Sequence, residues 1–371
     1  KRDFKYNFLN ENSLKNIEFD DFIPFKNDFL FKKIDENRFI AYNKGINPTV
    51  LFKNNVMGFQ THRDDFSIDL EFGEIKKRAI DLRNQQISND DIYIKYSLKD
   101  NRDWKLSKAR LEIQLDKNWE DKIIKCGYRP FDNRPCYFSS VVMDYPRKEL
   151  IQNVLNKENI ILGIGRQGMA VGDIEWCLTT VSKNPVDANM FRRGGVNLFP
   201  LYLYPEKTGQ LSLQENPEKT EQLSLDENIS ERTPNLNLEI IDKIAEQLNH
   251  VFLPDENIVC DLPAGFDGTF SPLDILDYIY AVLHSPTYRE KYKEFLKIDF
   301  PRIPYPKDAK TFWQLVELGS QIRQIHLLES AKVEDYITEF PIDGDCIVTK
   351  PKFEPNLVKV QNLDKVNSET E

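Results

Sequence analysis

Arginines set beside glycines, prolines and aromatic rings are the side chains of this 371-residue chain best suited to act on another molecule. Arg129 and Arg134 flank Asp132 in YRPFDNRP, Arg166 and Gln167 stand in GIGRQG, and Arg192 and Arg193 open RRGG. A guanidinium fork grips phosphate, or guanine in the major groove, and a glutamine amide does the same for adenine. Neighbouring glycines let a backbone approach its ligand closely. Arg63, in THRDDF, suits either DNA or a neighbouring carboxylate, and Lys105 and Lys108 suit phosphates. Each motif has a plainer reading. YRPFDNRP reads first as a structural Arg–Asp turn packed by Tyr128 and Phe131, and RRGG equally as a solvated hairpin turn.

Bond-making chemistry lacks its residues. The chain has no GxxxxGK[ST], GxSxG, HExxH, NPPY-type tetrapeptide or trustworthy PD…ExK arrangement. A His62–Asp64 dyad would lack a nucleophile, so no catalytic residue is assigned. GIGRQG matches GxGxxG after a strand, but MAVGDIEWCLTTV follows it, and no helix start is offered to a phosphate. Five cysteines without a CxxC pair and four scattered histidines suggest reduced thiols in a cytoplasmic protein and no metal site.

The elements that must carry the arginines are short. Tyr137–Met143, Asn159–Ile164 and Val196–Tyr204 read as strands, as do FIPFKNDFLFKKI, RFIAYNKGI, the run after Pro48, and Asp64–Leu70. Residues 73–84 read as a helix with Ile75, Ala79, Ile80 and Leu82 inward, and Lys105–Ile113 as a helix or strand. Residues 146–157 read as a helix with Pro146 in its first turn and Leu150, Val154 and Leu155 buried. Residues 206–228 repeat EKTGQLSLQEN as EKTEQLSLDEN, a polar surface insertion. Helical spacing then governs 236–249, 272–283, 287–297 and 311–329, with FPRIPYP extended between the last two. Tyr278, Tyr280, Tyr288, Tyr292 and Phe295 read as core aromatics, and His326 as a packed helix residue.

The overall charge of −10 divides unevenly, with residues 1–100 neutral, 101–204 at +4 and 205–371 at −14. A nucleic-acid face on the middle part alone is compatible with that division. No apolar run is long enough to span a bilayer, and the opening KRDFKYNFLNENSLKN suggests a fragment of a longer protein.

YRPFDNR, GRQG, NPVDANMFRRGGVNLFPLYLYPE, YIYAVLHSPTYREKYKEFLKIDFPRIPYP and FWQLVELGSQIRQIHLLES, in that order, resemble the C-terminal specificity region of type ISP and related single-chain restriction-modification enzymes. The resemblance covers about Gly58 to Ser330, and the 206–228 duplication lies outside its pattern. It implies a target-recognition domain that binds double-stranded DNA for an upstream adenine N6-methyltransferase domain and nuclease. S-adenosylmethionine and Mg would serve those other modules. The expected fold is α+β: a strand-rich mixed-sheet DNA-recognition part over 1–204, an insertion over 205–235, a helical part over 236–349 packed on the first, and a tail over 350–371. The expected DNA face carries Arg63, Lys105, Lys108, Arg129, Arg134, Arg166, Gln167, Arg192 and Arg193. A module that only couples domains is the alternative, and a self-contained methyltransferase or nuclease a weaker one.

Overall fold

The computed structural model describes residues 2–13, 15–18, 35–166, 176–191, 195–205, 232–258, 265 and 268–336. Residues 22–34, Gln167, Arg192, Arg193, the duplication at 206–228 and the tail from Lys350 lie outside them. Lys1–Leu328 form one compact unit and Glu329–Glu371 a second. The second, described over 329–336, holds one 3-10 turn at Ala331–Glu334 behind a Ser330 cap.

Capping residues overrule several expected strands. Helix α1 (Arg2–Glu11) is followed by α2 (Glu36–Asn43) and α3 (Pro48–Leu51), where alternation favours strands. The Asp35 carboxylate accepts the Arg38 N–H at 3.0 Å, and the Asn47 amide oxygen accepts that of Thr49 at 3.1 Å with proline next in line. After strand β1 (Val56–Met57), helix α4 (Asp64–Ser67) replaces the strand expected over Asp64–Leu70. Asp64 and Asp65 fall in its first turn, where carboxylates suit the helix dipole, and the Thr61 hydroxyl donates to Asp64.

Helix α5 (Phe72–Arg83) buries Ile75, Ala79 and Leu82 as expected but leaves Ile80 exposed. Helix α6 (Asn89–Tyr96) starts at a Ser88 cap, and α7 (Leu106–Leu115) settles the helix-or-strand alternative. An antiparallel hairpin follows, β2 (Ile123–Arg129) with β3 (Asp132–Tyr137). Phe59, Phe66, Ile75, Leu82, Trp104 and Leu106 are among the side chains that make one core here. The strand expected over Tyr137–Met143 ends at Tyr137, because the Ser139 hydroxyl accepts the Val141 N–H at 3.2 Å and turns the chain.

Helix α8 (Lys148–Val154) begins two residues beyond Pro146 and buries Val154, with Leu155 half-buried after it. Strands β4 (Ile161–Gly165), β5 (Thr179–Ser182) and β6 (Val196–Pro200) then form an antiparallel sheet with β1 in the order β1-β6-β4-β5. Strands β7 (Tyr202–Leu203) and β8 (Thr233–Pro234) pair across the insertion. Helix α9 (Leu238–Leu248) leads to the parallel pair β9 (His250–Phe252) and β10 (Gly268–Phe270). Helix α10 (Pro272–His284) starts at a full capping box between Ser271 and Asp274. Helix α11 (Pro286–Leu296), the extended Pro-rich segment and α12 (Ala309–His326) complete the helical part.

These helices and the sheet share a second core that includes Phe52, Leu162, Phe199, Tyr202, Tyr280 and Phe312. Tyr278 and Tyr288 are core aromatics as expected, donating to the carbonyls of Pro304 and Arg302, each at 2.8 Å. Residues 185–188 form a seam between the first core and a smaller third one of Val154, Ile161, Val186, Met190, Val196 and Leu198. The Gly127 N–H donates to Pro185 at 2.8 Å and Asp187 returns to Gly127 at 2.9 Å, while Ala188 donates to Phe59 at 2.8 Å. Gly58 makes this possible, since a β-carbon there would lie 2.6 Å from the Ala188 nitrogen. The α+β class and the helical C-terminal part stand as expected. Among the described residues no helix is long and apolar enough to cross a membrane.

Candidate nucleic-acid interface

The β2–β3 hairpin turns at Pro130 and Phe131, between the paired residues Arg129 and Asp132. A register shift between Gly127 and Arg129 leaves Tyr128 as the extra residue of a bulge, which re-aims its side chain. The Tyr128 ring meets two cations, with the Arg129 guanidinium 3.8 Å and the Arg134 guanidinium 4.5 Å from its centroid. Both arginines are already paired. Arg134 reaches Asp132 at 2.7 Å, and Arg129 reaches Asp187 at 3.0 Å and Asp64 at 4.0 Å. The structural Arg–Asp turn is therefore what forms at Arg134, with Tyr128 packing it. Phe131 does not pack it, remaining 62% exposed.

Asp187 is buried, and burial with the nearby Asp64 charge pushes its carboxyl up to about 6, against the Asn189 N–H and Arg129, which pull it down. This carboxylate belongs to the seam between the cores, so Arg129 ties the hairpin to that seam.

Beneath the hairpin tip, at the end of β5 and the C-terminus of α12, lies a cavity of about 140 Å³. Arg129, Phe131, Asn133, Lys183, Asn184 and His326 contribute to its lining, which among the described residues holds no carboxylate. A wider groove of about 500 Å³ adjoins it, lined in part by Lys125, Asn156, Lys157, Glu158, Lys183 and Asn184. The two share Lys183 and Asn184. Together they gather three lysines and asparagine amides, with Arg129, already paired to Asp187, at the cavity's edge. Such a surface attracts a polyanion and offers donors and acceptors to base edges.

Sequence reasoning passed over Lys125, Lys157 and Lys183. The latter two sit in turns, LNKEN and SKNP, whose position beside the hairpin only the tertiary fold creates. Lys157 also lies over the Tyr204 ring at 4.6 Å.

The other candidates are scattered. Arg63 is a correction: only 7% of its side chain is exposed, it pairs with Asp144 at 2.7 Å, and it lies 4.2 Å from the Trp104 ring centroid. A cation so enclosed is a structural clip and cannot face DNA. His62 likewise bonds Asp144 at 2.7 Å and not Asp64. Burial raises the Asp144 carboxyl, but hydrogen bonds from Arg63 and His62 outweigh it and hold the group below the usual range. Lys105 and Lys108 are exposed along α7, near Asp100 at 3.6 Å and Glu112 at 3.7 Å, and line neither cavity.

Arg166 is exposed directly after β4, its guanidinium 5.4 Å from the Phe300 ring centroid. Register places it at the far end of the sheet from the groove, since Ile164 pairs with Thr179 and Ile161 with Ser182. Gly195, with φ +72°, precedes Val196, which pairs with Gly165, so the residue that follows RRG lies at Arg166's end of the sheet. Gln167, Arg192 and Arg193 themselves are among the residues not described.

His326 packs as expected, with Tyr280 Oη 2.6 Å from its Nδ1 and the His284 ring 5.0 Å away. Burial, then the Arg289 charge, lowers both histidines, His284 to about 3. Cys126 and Cys136 are buried free thiols of the hairpin, and Cys177 is an exposed one. Among the described residues no cluster of His, Cys, Asp or Glu could hold a metal ion.

No curated protein matches the chain. Solved structures do. A nuclease-deletion mutant of the Type ISP restriction-modification enzyme LlaGI, in complex with a DNA substrate mimic, superposes with TM-score 0.54 at 20% identity, over 88% of this chain and 23% of that one. The ATP-dependent Type ISP enzyme LlaBIII bound to DNA gives 0.54 at 21%, over 82% and 18%. A DrdV–DNA complex gives 0.56 at 19%, over 88% and 29%. At these identities the likeness is one of fold, and the chain spans less than a third of each relative. The family described as the Type ISP C-terminal specificity domain matches residues 50–369, most of the length, and the chain belongs to that family.

Proposed function

We propose that this chain recognises a target sequence in double-stranded DNA, with the hairpin groove as its main contact surface. The carrying observation is the convergence of Lys125, Lys157 and Lys183 with Asn133 and Asn184 on the adjoining cavity and groove beside the hairpin. The three structural relatives, each solved with DNA or a DNA mimic, support the reading. Lysines would hold phosphates, which position the duplex, and the amides would read base edges, while Arg129 would brace the hairpin through Asp187. Arg134 would keep the hairpin rigid through Tyr128 and Asp132. Arg166 would make a second contact from the far end of the sheet, Lys105 and Lys108 would meet phosphates outside the groove, and Gln167, Arg192 and Arg193 stay DNA-contact candidates on their residue types alone.

On this reading an adenine N6-methyltransferase and a nuclease stand upstream in the same polypeptide and act in the cytoplasm. S-adenosylmethionine and Mg belong to them, and the chain supplies no catalytic residue. Selection of bound molecules from a pool of random duplexes at low salt, followed by sequencing, tests the proposal. It expects an enriched motif. Absence of binding at low salt would leave a coupling module.

A further inference from the structure

Phenylalanine gains the fold little at position 131. With Pro130 before it, a φ of +62° fits the third position of a type II turn, where glycine is the ordinary residue and a β-carbon is strained. The ring is 62% exposed. Its aromatic neighbour is His326, met edge-on at 5.3 Å and 74°, and it borders the cavity of about 140 Å³. Leu328, on the same cavity, is also exposed. The hairpin behind the ring is braced, because bulged Tyr128 contacts both Arg129 and Arg134 and Arg129 is fixed to Asp187. A strained, exposed aromatic on a braced finger points to a task outside folding. Lys183 on the same cavity and Lys125 in the adjoining groove put cations beside the ring, a pairing that suits an anionic partner with flat apolar faces.

We infer that Phe131 is a base-stacking wedge: the hairpin tip enters a groove of the bound duplex, and the ring stacks on an exposed base or opens a base step. Apolar side chains so placed unstack and kink DNA. The inference rests on the DNA reading above and gives it a specific contact.

The test compares the full chain with Phe131→Gly and Phe131→Trp. The probe is a duplex enriched from the random pool, with 2-aminopurine placed at successive positions. The expected Phe131→Gly protein melts no lower than the parent, because the turn is relieved. It binds the duplex about tenfold more weakly, the order expected for one lost stacking contact, and loses the fluorescence rise that marks an unstacked base. Phe131→Trp keeps the affinity and the rise. A parent chain that binds duplex but changes 2-aminopurine fluorescence at no position overturns the wedge alone. So does a Phe131→Gly protein that binds equally, or one whose melting temperature falls. A parent chain that binds no duplex at low salt overturns the DNA reading together with the wedge.

Discussion

Arg129 and Asp187 join the β2–β3 hairpin to the segment 185–188, guanidinium to buried carboxylate at 3.0 Å. Burial, before any other cause, raises the acid from the ordinary 3.8 to about 6 in the fold. The folded chain therefore holds the extra proton between those values. The associated stability is present below pH 3.8 and is lost as pH rises through 6. At about 1.4 kcal/mol for each pH unit of difference the change is of order 2–3 kcal/mol. Denaturant unfolding at pH 4, 5, 6 and 7 is expected to show the parent losing about that much relative to Asp187→Asn. Parallel profiles would show that Asp187 titrates normally.

A second ion pair holds the helical part. Arg323 on α12 meets Asp277 on α10 at 2.6 and 3.0 Å, both side chains buried. The helices approach at Gly319, where a β-carbon would overlap the Asp277 carbonyl oxygen. Arg323→Ala leaves an uncompensated buried carboxylate and should cost about 3–5 kcal/mol. Gly319→Ala should also destabilise strongly by forcing the helices apart. Thermal unfolding reads both, and a change under about 1 kcal/mol for Arg323→Ala would contradict this account.

The duplicated insertion leaves and returns at one place, because Leu203 pairs with Thr233. Arg232 secures the return, 2.7 Å from Asp255 and 2.9 Å from Glu256, with its guanidinium over Tyr202. Removing 206–228 should then change stability by less than about 1 kcal/mol, since loop closure depends only weakly on length. A large loss on calorimetry would show that the repeat packs on the domain.

Some of this was legible before folding. The α10 start is written in Ser271, Pro272 and Asp274, and residues 73–84 carry a helical stripe. The strands expected over 38–46 and 64–70 failed because Asp35, Asn47 and the Asp64–Asp65 pair cap or charge helix starts, a signal stronger than short alternation. Arg129 and Arg134 could be found from their turn, but not their carboxylates: Asp187 lies 58 residues from Arg129 in sequence. Lys125, Lys157 and Lys183 become neighbours only when 183–185 packs against β2 and the α8 end, which no local pattern records. Arg63 misled because its cluster with Asp144 and Trp104 spans the whole first core.

The most direct measurement is the salt dependence of duplex affinity for the parent, for a Lys125→Ala/Lys157→Ala/Lys183→Ala protein, and for a Lys293→Ala/Lys297→Ala control in the last turn and at the C-cap of α11. The account predicts that the groove variant binds more weakly and that its slope of log affinity against log salt shrinks by about one for each lysine that meets a phosphate. The control should keep the parent slope. An unchanged slope in the groove variant would contradict the assignment of this groove as the DNA-contacting surface.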